Sequence, residues 1–432
     1  MDLRHLVMLA IPAAISMLLN NAFRVIDQYA VQHLGVDASA AIGSTTFVLI
    51  SVAAFFYLVS SGAGPLFARA IGGADRSLQR KVVGNALTGA FGLGVLVWFS
   101  VGVGCVQIAS WVGLTGNAST EAVSYLSALA IYGMPLALAP TLDAIFIAQG
   151  RTSLVMLLQG IATALNIVLN PWLIYGCEMG IEGAALATGI SRGVVVAIGL
   201  VLLYRDVRPT TSDFVFDDTI GRILKVGWPV CCGTLAYSGV YWVLLSLVIG
   251  PLGTAVVAAL GVGFNALEGF TWPIYWGFSM AVASLVGRQL GAGDKEGAVH
   301  TYRLAFPVMS GIGLTAGLVF WFAGETLSGF FTQDPEVLAQ ATMYAKILAL
   351  SQVFVALEAL SEGVLEGAGE TKPLMLWSVG INLTRVPLAW WFALLLGMGP
   401  AGVWWAINIT TVIKCAGKWY LVLRRRWLDL AI

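Results

Sequence analysis

Charge is what this chain has least of. Of its 432 residues only 11% are Asp, Glu, Lys or Arg, and 23 basic side chains cancel 23 acidic ones. With 58% hydrophobic residues over that length, a soluble fold is excluded and a polytopic membrane protein is indicated. A net charge of zero gives nucleic acid no electrostatic purchase, so no nucleic-acid partner is expected. Histidine is scarce (His5, His33 and His300, all near predicted loops), and Cys105, Cys177, Cys231, Cys232 and Cys415 show no metal-ligand spacing. The cysteines read as small packing residues rather than disulfides. No Walker A sequence, Ser/His/Asp set or HExxH motif is present, so neither ATP-driven transport nor an intramembrane enzyme is indicated, and no cofactor is expected. The opening MDLRHLVMLAIP lacks the small-residue cleavage site of a secretory signal.

Long apolar runs and 50 glycines are what the chain has instead. At about 20 residues per span, the runs near 6–32, 38–63, 83–107, 120–145, 153–176, 183–204, 221–249, 254–286, 302–323, 337–366, 373–397 and 400–423 predict twelve membrane helices. The one long polar connection near the middle, YRDVRPTTSDFVFDDTI, separates an amino-terminal lobe (1–204) from a carboxy-terminal lobe (221–432), with 205–220 as a cytoplasmic linker. Basic residues such as Arg69, Arg76, Arg80, Lys81, Arg151, Arg205, Arg288, Lys295, Lys372, Lys418 and Arg424 to Arg426 all fall on one side of this count, and the opposite loops have none. The positive-inside rule then places both termini in the cytoplasm of an inner-membrane protein.

The two lobes repeat. Phe67–Leu87 (FARAIGGADRSLQRKVVGNAL) aligns with Val286–Phe306 (VGRQLGAGDKEGAVHTYRLAF), pairing Arg69 with Arg288, Gly72 with Gly291 and Asp75 with Asp294. The same displacement pairs Gly150 with Gly369, Thr152 with Thr371 and Asp143 with Glu362, and Pro12 matches Pro229. Six helices per half make these parallel repeats. The expected fold is all-α, two six-helix bundles around a central cavity.

The most informative stretch is the first span, where Pro12, Asn20, Asn21, Arg24 and Asp27 interrupt the apolar run. A carboxylate in a membrane helix is costly and marks an ion or substrate path unless it only locks helices together. Pro12 removes a backbone hydrogen bond and predicts a hinge. Asn166 and Asn170 share a face of the fifth span, Ala184 and Thr188 share one of the sixth, and Asp143 sits in the fourth. Oxygen donors of this kind suit a small hard cation, or hydrogen-bond a carboxyl that takes up a proton; buried Asn or Thr also serves as interhelical glue. In the second half Glu358, Glu362 and Glu366 form a stripe at i, i+4 and i+8. With Glu268 and Arg385 they suggest either a second ion site or a salt-bridge network through Arg385 or Lys346. Repulsion along the stripe requires at least one of these acids to be protonated near neutral pH. Glu366, near the cytoplasmic mouth, is expected to be solvated. Trp272, Tyr275 and Trp276 form an aromatic cluster suited to flat, lipophilic or cationic molecules. Asn20, Arg24 and Tyr125 are further candidates for the substrate path.

Pro12 with Asp27, the HLGVDASAAIG block, the ARAIGGADR and GRQLGAGDK loops, and LNIVLNP followed by GAALAT together resemble the prokaryotic multidrug and toxic compound extrusion transporters over essentially the whole chain. The resemblance implies export of cationic or aromatic compounds in exchange for inward H+ or Na+, with the lobes rocking and the first helix bending near Pro12. It also implies a cation site at Asp27, Asn166, Asn170 and Thr188. Asn170 stands where that family usually has Asp, which favours H+ over Na+, with Asp143 as a candidate second acid. A lipid-linked oligosaccharide flippase of the same superfamily is the alternative; few cations (Arg24, Lys346, Arg385) are placed deeply enough for a pyrophosphate. A bundle with its own central cavity is expected to work as a monomer in the lipid bilayer on small-molecule substrates.

Overall fold

The computed structural model describes residues 2–31, 34–111 and 116–430. Among these the chain is helical nearly throughout, without strands. The helices are α1 (Leu3–Val31), α2 (Val36–Gly72), α3 (Arg76–Trp111), α4 (Gly116–Ala130), α5 (Gly133–Ala148), α6 (Thr152–Pro171), α7 (Gly180–Val207) and α8 (Asp218–Leu244), then α9 (Thr254–Gly263), α10 (Gly269–Gly291), α11 (Lys295–Gly329), α12 (Pro335–Ala349), α13 (Gln352–Ala368), α14 (Thr371–Trp390) and α15 (Pro400–Leu423). By length and composition eight described helices can cross a bilayer, or ten when the pairs α4–α5 and α12–α13, each bent by 59°, count as single spans. With α14 and α15, which carry buried Arg385, Lys414 and Lys418, the expected twelve are complete.

Two boundaries differ from expectation, for one reason. Helix α2 runs on to Gly72 and α3 begins at Arg76, so the basic segment between the second and third spans is helical beyond the apolar run. Only Gly73–Asp75 turns the chain. Gly73 N donates to Arg69 O at 2.9 Å, and Asp75 Oδ1 accepts from Leu78 N at 2.9 Å, capping α3. Asp294 caps α11 in the same way, accepting from Gly297 N at 2.8 Å. The acid shared by both repeat loops is thus a helix cap, which satisfies an otherwise orphaned backbone N–H.

The repeat extends to details that the sequence match did not show. Gly150 and Gly369 follow α5 and α13 at φ 74° and 79°, and Gly180 opens α7 and Gly399 precedes α15 at φ 56° and 59°. Helices α6 and α14 both open into a π turn, at Trp172–Gly176 and Trp391–Leu395. Each bent span is seated on a glycine. A Cβ on Gly94 of α3 would stand 2.5 Å from Met134 Cα, where α5 begins, and one on Gly313 of α11 would stand 2.7 Å from Val353 Cα, where α13 begins. Any side chain there would push the bend away.

The chain divides into two compact units. One is Leu19–Cys231 with Gly291–Gly293; the other joins the chain before Leu19 to Cys232–Leu290 and the chain from Asp294 on. Helix α1, which continues through Pro12 without a break in helical structure, therefore changes unit after Leu18. Its first half packs in the second unit's core, where Leu6, Leu9, Ala10 and Ala14 meet Tyr275, Phe278 and Val282. A Cβ on Gly277 would stand 2.3 Å from Ala14 Cα.

Within the Leu19–Cys231 unit the polar connection after α7 is strapped to α3. Thr88 Oγ1 donates to Phe214 O at 3.0 Å, Asn85 Nδ2 to Asp213 O at 3.3 Å, and Lys81 pairs with Asp217 at 2.9 Å. Hydrogen bonds from Thr219, and then Lys81, hold the Asp217 carboxyl down at about 2, so this pair stays ionised above that pH.

Replacing Gly94 or Gly313 by Leu is expected to destabilise the protein by roughly 1–3 kcal/mol through overpacking, read as a lower unfolding midpoint in detergent. Gly311→Ala, where a Cβ meets nothing within 4 Å, should leave the midpoint unchanged; equal effects at all three would contradict the seating of the bends.

Candidate functional site

Helix α6 is stitched along the second half of α1. Thr163 Oγ1 donates to Leu19 O at 3.5 Å, and the hydroxyl of Tyr175, in the π turn beyond α6, donates to Ala30 O. Between these ends lies Asp27, buried at 6% exposure. Its Oδ1 accepts from Asn166 Nδ2 at 3.0 Å and Asn170 Nδ2 at 2.8 Å, and its Oδ2 accepts from Thr188 Oγ1 of α7 at 2.8 Å. Asn170 Nδ2 also donates to Asn166 Oδ1 at 3.1 Å, leaving Asn170 Oδ1 buried without a partner. The i, i+4 spacing of the two asparagines puts both amides on the face toward α1. Val31, Tyr125, Ile174, Ile181 and Ala184 belong to the apolar cluster of the same unit. Of these, Tyr125 is a sequence candidate that enters as packing.

Three such bonds, at about 0.6 kcal/mol each in membrane proteins, offset much of the roughly 2.5–3.5 kcal/mol that a charged side chain costs at mid-membrane. The acid is thus held at modest net cost, and the loss of one donor would raise that cost.

Asp143 is held elsewhere. Its Oδ2 accepts from Gln159 Nε2 at 2.7 Å, Gln159 Oε1 accepts from Arg192 Nη1 at 2.6 Å, and Arg192 Nη2 donates to Asn20 Oδ1. The Arg192 guanidinium also lies over the Phe23 ring, 4.5 Å from its centroid. Arg192 and Gln159 are buried and were not singled out in the sequence. Their signal was available: a charge inside the sixth span one turn after Thr188, and a glutamine on the face of α6 that carries Thr163 and Asn166. Asp143 and Arg192 thus neutralise one another through a bridging amide, and Asp27 is left bonded only by neutral groups. The Arg24 side chain lies outside the described residues.

The second half places its candidates differently. Glu358 pairs with Lys414 at 2.9 Å and Lys418 at 2.6 Å, and Lys418 also bonds Glu362. The salt-bridge partners are therefore these α15 lysines rather than Arg385 or Lys346, and Lys418, expected at the basic cytoplasmic end, is buried at 1% exposure. Lys414 and Lys418, at matching spacing, compensate the charges of Glu358 and Glu362. Glu366 is half-buried rather than solvated. Arg385 donates to Thr410 Oγ1 at 3.0 Å and Tyr241 OH at 3.1 Å, while Glu268 accepts from Tyr344 OH at 2.7 Å. Asn265, three residues before buried Glu268, is exposed and donates to Gly261 O, because the π turn at Phe264–Glu268 rotates the helix between them. Trp272 and Trp276 stack with centroids 5.0 Å apart and Tyr237 is 5.8 Å from Trp272. Tyr275 leaves that wall: it is fully buried and donates to Gln352 Oε1 at 3.1 Å.

The repeat sharpens this asymmetry. Positions equivalent to Asp27, Asn166, Asn170 and Thr188 are Leu244, Arg385, Ala389 and Ile407. Leu244, Ala389 and Ile407 lie in one apolar cluster. Three of the four positions are thus hydrophobic core in the second half, and the fourth is the buried Arg385.

A helical membrane protein of two repeated halves, with Asp27 buried in the first, has the build of a transporter. The MatE family model matches residues 12–172 and 229–391. The chain is 27% identical over 433 residues to a probable multidrug resistance protein NorM of Thermotoga maritima, covering 98% of this chain and 93% of the relative. It is 23% identical to the multidrug export protein MepA of Staphylococcus saprophyticus, covering 94% and 90%. Its fold matches a multidrug resistance MATE family transporter in an outward-facing conformation with TM-score 0.92, at 23% identity and covering 99% and 97% of the two chains. It also matches a transporter from Pyrococcus furiosus whose reversed binding-pocket polarity suggests a different function, with TM-score 0.93 at 22% identity, covering 99% and 97%. The chain belongs to the MatE family, the multidrug and toxic compound extrusion transporters.

Removing Lys418 should strand Glu362 and leave Glu358 to Lys414 alone. Lys418→Met is expected to cost about 3–5 kcal/mol, as breaking a buried pair does, and adding Glu362→Gln should recover part of it. Thermal unfolding in detergent reads both; a neutral Lys418→Met would show that the cluster does not brace α13 against α15.

Proposed function

We propose that this transporter is a multidrug efflux antiporter of the cytoplasmic membrane, with both termini cytoplasmic, that exchanges H+ for lipophilic, cationic aromatic compounds at the expense of a proton gradient. The observation that carries the choice of ion is the donor set around Asp27. Its three partners all present hydrogens to the carboxylate. A sodium ion needs several oxygens turned toward one point; among the described site oxygens left without a hydrogen-bond partner, Asn170 Oδ1 is the one from this set. A proton needs only the carboxylate.

The chemistry assigns the proton to an atom. The amides on Oδ1 can only donate, so a proton there would displace one of them. On Oδ2 the partner is a hydroxyl, which turns from donor to acceptor without moving its helix. Oδ2 is therefore the proton acceptor and Thr188 the group that follows its state. Protonation removes the charge that draws α6 and α7 to the second half of α1. That half is divided from the first shortly after Pro12, which supports bending of α1 there as part of alternating access. Relatives of this fold have been solved in a straight and in a bent conformation. The stacked Trp272–Trp276 pair supports the aromatic substrate class.

A flippase reading is less well supported. The buried cations Arg192, Arg385, Lys414 and Lys418 are each engaged by partners of the same unit, and Lys346 is exposed. None of these is offered to a pyrophosphate.

In proteoliposomes, efflux of a cationic dye should follow an imposed pH gradient without sodium. Asp27→Asn should lose gradient-driven efflux by at least tenfold while keeping dye binding, and strict dependence on sodium would overturn the assignment. Thr188→Ser should behave as wild type, whereas Thr188→Val should shift the pH profile of efflux; an unchanged profile in Thr188→Val removes Thr188 from proton handling.

A further inference from the structure

A second feature of the Leu19–Cys231 unit lies outside the proton site. A groove of about 630 Å3 is lined by Leu87 and Phe91 of α3, Leu200, Val201 and Arg205 of α7, and Phe214 of the connection after α7. Its walls are apolar and outward-facing: Phe91 is 50% exposed and Val201 60%. In a chain that crosses a bilayer, such a surface faces hydrocarbon rather than water. Arg205 stands where α7 leaves the apolar run, at the polar end of the groove. It is exposed, and among the described residues it has no ion-pair or hydrogen-bond partner, since the neighbouring acid Asp206 is taken by Arg151. An unclaimed guanidinium at the end of a hydrocarbon-facing groove matches one ligand chemistry: an acyl chain ending in a negatively charged head.

We propose that the groove is a binding site for an anionic phospholipid, with an acyl chain along Leu87, Phe91, Leu200 and Val201 and the headgroup phosphate on Arg205. Charge complementarity favours an anionic lipid over a zwitterionic one, since each basic residue near the surface is worth roughly a fivefold change in affinity. The lipid has a structural consequence because Phe214 forms part of the wall. The same segment is tied to α3 by Thr88 and Asn85, so the chain packs against Phe214 from the side that those hydrogen bonds leave open. Occupancy braces the connection between the two halves of the chain.

The test uses the full-length protein in detergent, with added dioleoylphosphatidylglycerol or dioleoylphosphatidylcholine, and the thermal unfolding midpoint as readout, since a ligand that binds only the folded state raises it. Phosphatidylglycerol should raise the midpoint at roughly fivefold lower concentration than phosphatidylcholine. Arg205→Gln should make the two lipids equivalent, and Val201→Trp, at an exposed position that does not burden the core, should abolish the response to both. Free glycerol phosphate should give no protection. The proposal is overturned if the wild type responds equally to both lipids, if Arg205→Gln keeps the preference, if Val201→Trp responds as wild type, or if glycerol phosphate protects as well as the lipid. No transport enters this readout, so its outcome is independent of the coupling ion.

Discussion

A carboxylate buried among hydrocarbon has to be met by donors, and that requirement organises the first half of this chain. Asp27 draws two amides from α6 and a hydroxyl from α7 onto the second half of α1. Because all three donors are neutral, none of them compensates the charge of an ionised carboxylate. The other acid, Asp143, is already balanced by Arg192 through Gln159. The distinction is one of electrostatics: a compensated acid gains little from a further cation, whereas an acid that meets only neutral groups is the place where one extra positive charge changes the energy most.

The second half shows the same fold without that requirement. Its glycines adopt the same left-handed conformations, its bent span sits on an equivalent glycine, and its π turn follows the equivalent helix. Yet Leu244, Ala389 and Ile407 close the equivalent space as packed hydrocarbon. The residues that shape a lobe and the residues that hold its charge are therefore separate sets. The polar groups retained by the second half, the Glu358–Lys418 cluster and Arg385 with Tyr241, are each matched by a partner of opposite or complementary character.

Much of this was legible in the sequence. Twelve spans followed from the length of the apolar runs, and the set at Asp27 followed from i, i+4 spacing together with the family resemblance. Three things were not. Arg192 and Gln159 were hidden because a lone charge in an apolar run does not disclose its partner on another helix. Lys418 reads as cytoplasmic from its place near a basic chain end, although its spacing from Lys414 mirrors that of Glu358 and Glu362. The bends and the π turn at Phe264–Glu268 escaped because hydrophobic periodicity reports an average face and is blind to a local change of pitch. The paired glycines Gly94 and Gly313 carried that information, in their coincidence under the repeat.

The division of α1 bears on how the chain is made. Its first half precedes its partners by a wide margin, since Ala14 rests against Gly277, far along the chain. The bent span of the first half needs only Gly94, synthesised shortly before it. The second half of α1 finds Asn166, Asn170 and Thr188 before half the chain has appeared. Leu6, Leu9 and Ala10, by contrast, wait for α10. Contacts between such distant positions form slowly, because a long loop must close first. The first half of α1 is thus among the last parts of the chain to find its place.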